Sequence, residues 1–269
     1  MVSFRYGSPD LSDGSGLVLF ELPGWRRVPS GWTGVSLESY PPMILGVRDG
    51  LFRRTPNVGG TMGKVIAAIT TSVDGYIVGP QDGPEHGLGI GGERLHYWVM
   101  GGPWTYADDG RDTDGMHGAD REYYESLTEG LGCGIVGRNM YDAAGAWGGT
   151  NPFPGTLIVL THRTEDQPDP STGFLFIDGF DAALLKAREL AGDGGVSLGG
   201  GADLIRQGLA AGVVDELAIS TAPLVLGGGK RLFEGFEQDL DLEVLGTWSS
   251  QYATHVRYAV TRVRLSSGF

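Results

Sequence analysis

The sequence is poor in cysteine and lacks any long apolar run. Cys133 is the only cysteine among the 269 residues, which excludes an internal disulfide framework and a cysteine-rich zinc site. No segment approaches the roughly 20 apolar residues that a membrane-crossing helix needs, and the apolar stretch 17–20 is too short for the core of a secretory signal. We therefore expect a soluble, cytoplasmic protein that does not act on membranes.

Positive charge is also scarce. The chain has 20 Lys and Arg against 33 Asp and Glu, a formal net charge of -13. Because no basic excess is present to neutralise phosphates, this balance argues against nucleic acid as a partner. The acidity is uneven, since residues 1–61 hold six Arg and five acidic residues, which leaves 14 basic and 28 acidic groups in residues 62–269.

The first 61 residues lack the periodicity of a helix or a strand, and six prolines and ten glycines interrupt them. We interpret residues 1–61 as a poorly ordered N-terminal extension. Our hypothesis is that Met62 is the natural initiator and that the extension is upstream sequence. Intact-mass measurement of the protein from its native host, with residues 1–61 retained, would refute it.

From residue 62 to residue 269, β-prone and helical segments alternate, which predicts an α/β domain with a mostly parallel sheet flanked by helices. Residues 242–247 and 254–264 show the alternation of a closing antiparallel hairpin. Residues 79–118, rich in Gly and Asp, are predicted to form a long flexible lid. The other expected strands are 64–70, 132–136, 156–160, 174–177, 196–198 and 216–221, and the expected helices are 118–130, 139–146, 182–191 (with Asp181 as N-cap) and 202–211.

A glycine triplet, Gly199–Gly201, joins a predicted buried strand to a predicted helix. Glycines let the backbone approach a ligand closely, and a helix N-terminus offers free N–H groups and the positive end of a dipole. The triplet is therefore a candidate phosphate site, although a tight turn between strand and helix explains it as well.

Two further strand ends carry cationic side chains. Arg138 follows Gly137 and could hold a phosphate with two hydrogen bonds, while Asn139 could cap the next helix. Thr161, His162 and Arg163 follow another strand, at the end where open α/β sheets bind ligands. A surface arginine in the first case and an ordinary polar loop in the second are the alternatives.

Several kinds of chemistry lack their motifs. The five histidines show no metal-ligand spacing, so we expect no metal, and neither a G-x-S-x-G elbow nor a P-loop is present. Residues 87–92 match G-x-G-x-x-G formally, but they lie far from a strand and we expect no dinucleotide site there. Zinc, serine-hydrolase and P-loop chemistry are thereby excluded.

Five motifs in one order resemble the dihydrofolate reductase-like family, in the branch of the reductase domain of riboflavin biosynthesis. They are 67–77 (AAITTSVDGYI), Gly137–Arg138, 154–161 (PGTLIVLT), Gly199–Gly201 and 223–233 (PLVLGGGKRLF). The resemblance covers about residues 62–265 and implies an NADPH-binding reductase fold. The bifunctional enzymes of that pathway also carry a zinc deaminase, which one cysteine cannot supply.

The resemblance implies a place for each part of NADPH. Thr70 and Asp74 would lie beside the nicotinamide, and Thr161, His162 and Arg163 would surround the adenosine 2′-phosphate. The residues implied for the pyrophosphate and the neighbouring phosphate are Gly137, Arg138, Asn139, Gly199, Gly200, Gly201, Ala202 and Asp203. A homodimer is an expectation of the resemblance alone.

The substrate end is less defined. Asp74 is the candidate to bind or protonate the substrate, with a turn-forming Asp before Gly75 as the alternative. Lys230 could meet a substrate phosphate or be a solvated loop charge. Asp120, Glu122 and Glu125 follow the lid without the motif of a folate reductase.

The sequence thus predicts an NADPH-dependent oxidoreductase that reduces a small heterocyclic substrate, with a ribosylaminopyrimidine of riboflavin synthesis as the substrate most suggested. Two alternatives stay open. One is a nucleotide-binding protein of the same fold without turnover, and the other is a reductase of a pterin, a folate or a carbonyl compound.

Overall fold

The computed structural model describes residues 63–83, 86–106 and 115–265, with the side chains of 264 and 265 left aside. The predicted extension 1–61 and the boundary at Met62 lie outside the described residues, so both stay predictions. Parts of the predicted lid, 84–85 and 107–114, also lie outside them.

An eight-stranded mixed sheet forms the centre of the described residues, in the order β5-β4-β3-β6-β1-β7-β10-β9. The first six strands of this order, from β5 through β4, β3, β6 and β1 to β7, run parallel. Strand β10 runs antiparallel to both β7 and β9. This confirms the predicted mostly parallel sheet with a C-terminal antiparallel hairpin. The strands are β1 Val65–Ser72, β2 Tyr76–Val78, β3 Leu131–Gly137, β4 Thr156–Leu160, β5 Phe174–Ile177, β6 Gly195–Leu198, β7 Glu216–Ala222, β8 Lys230–Arg231, β9 Gln238–Ser249 and β10 Thr254–Leu265, with β2 and β8 pairing separately.

Five α-helices accompany the sheet, and none of those in the described residues could span a membrane. Helix α4 begins at Phe180 after Gly179, so the prediction of Asp181 as its N-cap is wrong; Asp181 lies in the first turn, where the helix dipole favours an acid. Asn139 lies exposed inside α3 and caps nothing, because Gly137 is the N-cap. The helices are α1 Tyr97–Met100, α2 Gly118–Thr128, α3 Arg138–Ala143, α4 Phe180–Ala191 and α5 Ala202–Ala210.

The two faces of the sheet bury different helices. Side chains alternate along β1, so Val65 and Ala67 face the cluster that contains residues of α4 and α5. Ile66 faces the opposite cluster, which holds Trp98 of α1 and Tyr123 of α2. The parallel strands are therefore covered on both faces, as their continuous apolar sequences predict.

Part of the predicted lid is packed against the sheet. A 3-10 turn at Gly92–His96 and the short helix α1 follow one another, and they bury Leu95 and Trp98. The prediction of a flexible lid is therefore wrong for this segment, because two large apolar side chains anchor it. No longer sequence pattern predicts that residues 92–100 pack against the sheet.

Candidate functional site

The predicted cofactor segments meet at one edge of the sheet. Strands β4, β3, β6 and β1 are neighbours. Residues 161–163, 137–139 and 199–203 lie at the carboxyl ends of β4, β3 and β6, and Thr70 lies inside β1, two residues before its carboxyl end. Two of these segments touch directly, since the Gly137 N–H donates to the Gly200 carbonyl at 2.8 Å. The arrangement is the strand-end crevice where open parallel sheets bind ligands.

The glycine turn between β6 and α5 is sterically confined at Gly200. Its φ is +115°, and a Cβ there would lie 3.1 Å from Ile69 Cδ1 and 3.3 Å from Met140 Sδ. The peptide between Gly200 and Gly201 is cis. Helix α5 starts at the next residue, Ala202, so the turn combines close backbone approach with the N–H groups of a helix start.

Asp203 differs from the rest of this segment. Its exposed carboxylate accepts a hydrogen bond from Arg206 of the same helix. An anion at this turn would therefore meet backbone donors, and the Asp203 side chain offers it none.

Arg138 is held at the crevice by two carboxylates. Its Nε donates to Asp142 at 2.8 Å and its Nη2 to Asp166 at 2.8 Å, while the guanidinium lies 5.3 Å from the centre of the Phe176 ring. Burial opposes the charged form, but the bonds to Asp142 and Asp166 outweigh it and raise the pKa of Arg138. The Nη1 atom is buried without a hydrogen-bond partner in the described residues, so one donor of this cation is unused.

Residues 161–163 place a second cation in the same cluster. Arg163 Nη2 donates to Asp142 at 3.2 Å, and its backbone N–H donates to the buried Thr161 hydroxyl. The His162 ring is exposed and lies 2.6 Å from Asp178, which follows β5. Arg138 and Arg163 thus share Asp142, and the predicted phosphate-binding cations are balanced by acids that the sequence prediction did not place beside them.

Thr70 is buried within strand β1. It stands in register with Ser220 of β7, and its buried Oγ1 accepts a hydrogen bond from Trp98 Nε1 at 3.1 Å. The predicted nicotinamide-side hydroxyl is therefore covered by an indole from α1.

Buried polar side chains continue across the sheet from Thr70, on the neighbouring strands β7 and β10. His255 of β10 stands in register with Ser220, lies 2.7 Å from the Ser220 hydroxyl through Nδ1, and lies 2.8 Å from Asp120 through Nε2. These contacts fit an imidazole whose Nε2–H donates to Asp120 and whose Nδ1 accepts from the Ser220 hydroxyl. Tyr123 stacks on the imidazole at 4.1 Å. Asp120 is thus the one carboxylate of α2 that is buried at the sheet, whereas Glu122 and Glu125 are exposed.

Asp74 is bound on both carboxylate oxygens. Oδ1 accepts from the Ser72 hydroxyl at 2.6 Å and from the Leu226 N–H at 3.1 Å, and Oδ2 accepts from the Gly227 N–H at 2.8 Å. The hydrogen bond from Ser72, with those from the two N–H groups, lowers the pKa of Asp74 to about 2. These contacts favour the turn-forming alternative, because a carboxylate that stays ionised is a poor proton donor at neutral pH.

Lys230 lies on β8, in the small sheet with β2. Its Nζ atom forms an ion pair with Asp82, and its side chain is more than half exposed. Lys230 follows closely in sequence on Leu226 and Gly227, whose N–H groups bind Asp74. A substrate contact by Lys230 stays a prediction.

Sequence reasoning missed Trp98, Ser220 and His255. None of them lies in a motif, and the pairing of Ser220 with His255 depends on the antiparallel register of β10 against β7. Ser220, a polar residue that follows the apolar run Leu217–Ile219 in β7, was the only local signal.

Comparisons with known proteins identify the family of this chain. The model of the RibD C-terminal domain matches residues 63–256. The uncharacterised protein YyaP of Bacillus subtilis is 32% identical over 126 residues, which are 42% of this chain and 65% of YyaP. The uncharacterised protein YwjB of the same organism is 24% identical over 146 residues, covering 54% of this chain and 83% of YwjB.

A solved structure from Shewanella sp. PV-4, described provisionally as a riboflavin biosynthesis protein, matches with a TM-score of 0.55 at 22% identity, over 74% of this chain and 99% of that one. This likeness supports the fold. The family match covers well over half of the sequence, and it confirms the resemblance to the dihydrofolate reductase-like family in its riboflavin-reductase branch. The chain belongs to the RibD C-terminal domain family.

Proposed function

We propose that this protein is an NADPH-dependent reductase of a small heterocyclic substrate. The observation that carries the proposal is the meeting of residues 137–139, 161–163 and 199–203 at the carboxyl ends of three adjacent strands. Membership of a reductase family supports the same conclusion.

The residues present fit a phosphorylated dinucleotide. The turn at Gly200 keeps its shape only with glycine, because a Cβ there would press against Ile69 and Met140, and Arg138 keeps a buried Nη1 donor without a partner in the described residues. The Gly199–Ala202 backbone would hold the pyrophosphate. Arg138 and Arg163 would hold the 2′-phosphate, which would replace Asp142 as their shared anionic partner. NADPH, when bound, supplies the hydride.

The chain itself must orient the substrate and supply a proton. Thr70, Ser220 and His255 lie in register on neighbouring strands, and we assign their two hydroxyls and the imidazole to the nicotinamide end of the crevice. The acceptor class that we favour is a ribosylaminopyrimidine, and a pterin or a small carbonyl compound is the alternative within reductase chemistry.

A second candidate is a nucleotide-binding protein without turnover. It is favoured by one observation: Thr70, Ser220 and His255 are all buried, and Trp98 contacts Thr70 and His255, so these side chains are not open to a substrate in the described residues.

A spectrophotometric screen tests the proposal. The full chain is incubated with NADPH and, in turn, 5-amino-6-(5-phosphoribosylamino)uracil, a dihydropterin and small carbonyl compounds, and loss of NADPH absorbance is followed. We expect oxidation with at least one pyrimidine or pterin. Saturable NADPH binding without oxidation of any acceptor supports the second candidate, and failure of NADPH to bind or to raise the melting temperature contradicts both.

A further inference from the structure

Buried polar atoms without partners are concentrated in the predicted lid segment. Most buried polar groups in proteins are hydrogen-bonded, because an unpaired one costs free energy, so each exception calls for an explanation. Five buried side-chain atoms of the described residues lack a hydrogen-bond partner, and two of them, Glu93 Oε2 and Trp104 Nε1, lie in this segment. The segment thus carries an unpaired acceptor and an unpaired donor.

His96 adds a third unpaired group. Its side chain is half-buried, and within the described residues its ring has no hydrogen bond, ion pair or aromatic contact. Desolvation lowers the pKa of His96 to about 4, so the ring is neutral at pH 7 and offers one donor and one acceptor. Glu93 and His96 are three residues apart in the 3-10 turn Gly92–His96, a spacing that places side chains one above the other. The carboxylate and the imidazole therefore lie on one side of the turn.

Tyr106 lies close to both Glu93 and Trp104. The Trp104 ring lies edge-on to the Tyr106 ring at 5.4 Å. Burial raises the pKa of the Tyr106 hydroxyl, and the negative charge of Glu93 raises it further. The hydroxyl itself is occupied, since it accepts from the Leu88 N–H at 2.8 Å and donates to the Gly89 carbonyl at 3.3 Å. The unpaired acceptor and donor thus lie near one fixed aromatic side chain.

The 3-10 turn lies at the carboxyl end of β1, beside the crevice. Gly92 packs against the backbone of Gly79, which follows β2, and two residues beyond the turn Trp98 binds Thr70 near the end of β1. The turn also contacts β7. Strand β1 is the neighbour of β6, whose end carries the Gly199–Gly201 turn. The unpaired groups are therefore held by an anchored segment, one strand away from the proposed pyrophosphate site.

We propose that Glu93 and His96 bind the polar edge of the substrate's heterocycle, with Trp104 as a further donor. This inference rests on the proposed function, because it assigns the substrate of that reductase to these residues. A carboxylate accepts hydrogen bonds and donates none, so the ligand must present N–H groups to Glu93. An amino-substituted pyrimidine or pterin does so, whereas a simple carbonyl compound would leave the buried carboxylate oxygen unpaired. The site therefore favours an aminopyrimidine over a carbonyl substrate.

The test measures the affinity of the full chain for 5,6-diaminouracil by titration calorimetry, in the wild type, Glu93→Gln and His96→Phe. Glutamine keeps the size of glutamate but loses its charge and one acceptor, so we expect affinity to fall about 10- to 100-fold, as for a hydrogen bond to a charged group. Phenylalanine keeps a ring without nitrogen atoms and should lower the affinity about three- to tenfold, as for a neutral hydrogen bond.

The melting temperature of the free proteins separates ligand binding from folding. An unpaired buried polar group costs stability, so neither Glu93→Gln nor His96→Phe should lower the melting temperature. A purely structural role predicts the opposite. Glu122→Gln and His117→Phe are matched controls at exposed positions of the same part of the chain, and they should leave the diaminouracil affinity unchanged within about twofold.

The outcomes separate the inference from the proposed function, with NADPH affinity measured on the same proteins. If Glu93→Gln and His96→Phe bind diaminouracil as well as the controls do, or lose affinity and melting temperature together, the inference is overturned. Failure of the wild type to bind diaminouracil while it binds NADPH also overturns the inference and leaves the reductase with another acceptor. Diaminouracil binding that depends on Glu93 and His96, without any NADPH binding, supports the ring-binding residues and contradicts the proposed reductase.

Discussion

Two histidine–aspartate pairs lie on well-separated strands of the sheet, and they differ in burial and in the elements that hold them. His255 and Asp120 are 0% and 2% exposed in their side chains, whereas His162 and Asp178 are 92% and 57% exposed. The buried pair is fixed by three elements, and the exposed pair lies on two neighbouring loops. The comparison teaches that the proposed substrate end is built by packing, while the proposed nucleotide end is built by exchangeable surface charges.

The largest expected effect breaks the buried pair. His255→Ala leaves the Asp120 carboxylate buried without its partner, and we expect the free energy of unfolding to fall by about 3–5 kcal/mol. His162→Ala, the matched control, should change it by less than about 0.5 kcal/mol. Urea unfolding of the two variants measures both values, and similar losses in the two would contradict the contrast.

The next effect concerns cofactor choice at the nucleotide end. Arg163→Ala removes a cation predicted to meet the 2′-phosphate, so NADPH affinity should fall about 10- to 100-fold, as for a hydrogen bond to a charged group. NADH, which lacks that phosphate, should lose little. Equal losses for the two cofactors, measured by titration calorimetry, would reject the 2′-phosphate role.

A smaller change in NADPH affinity tests whether Asp142 competes with the cofactor for the two arginines. Asp142 binds both Arg138 and Arg163, so Asp142→Asn should remove one carboxylate from each cation, while Arg138 keeps Asp166, and should tighten NADPH up to about fivefold. The gain should shrink in 0.5 M salt because exposed charges are screened. Weaker NADPH binding by this variant would show that Asp142 positions the arginines instead of competing for them.

The last prediction uses pH at the buried end. Burial lowers the pKa of His255, although Asp120 raises it in part. The folded protein then binds fewer protons than the unfolded chain below the ordinary histidine pKa of about 6.5, so the free energy of unfolding falls as pH decreases from there.

The variant His255→Gln should show a shallower fall between pH 7 and pH 5 than the wild type. Desolvation lowers the pKa of His96 to about 4, which adds a similar slope to both proteins and cancels in the difference. Identical slopes would contradict the account of His255.

The meeting of the segments proposed to bind the nucleotide could be predicted from the sequence because these residues follow strands directly. Gly137, Thr161 and Gly199 each come within one residue of a strand end, and parallel strands bring such positions to one edge. Their acidic neighbours were not predictable, since the contact of Arg138 with Asp166 joins residues 28 positions apart through a loop.

The substrate end could not be predicted, for a physical reason. Trp98, Asp120 and His255 come from three distant segments, and their contacts depend on the register of β10 and on the packing of a four-residue helix. For Asp74, predicted to bind or protonate the substrate or else to form a turn, the sequence alone does not show the Ser72 hydroxyl and the two loop N–H groups that lower its pKa.

Hydrogen exchange of the full chain with and without NADPH tests the central claim, that the nucleotide binds at the carboxyl ends of β4, β3 and β6. We predict that saturating NADPH slows amide exchange in peptides covering residues 137–143, 161–166 and 199–206, and leaves the outer strand β9 unchanged. Absence of slower exchange in all three segments, or protection confined to other parts of the chain, would contradict the account.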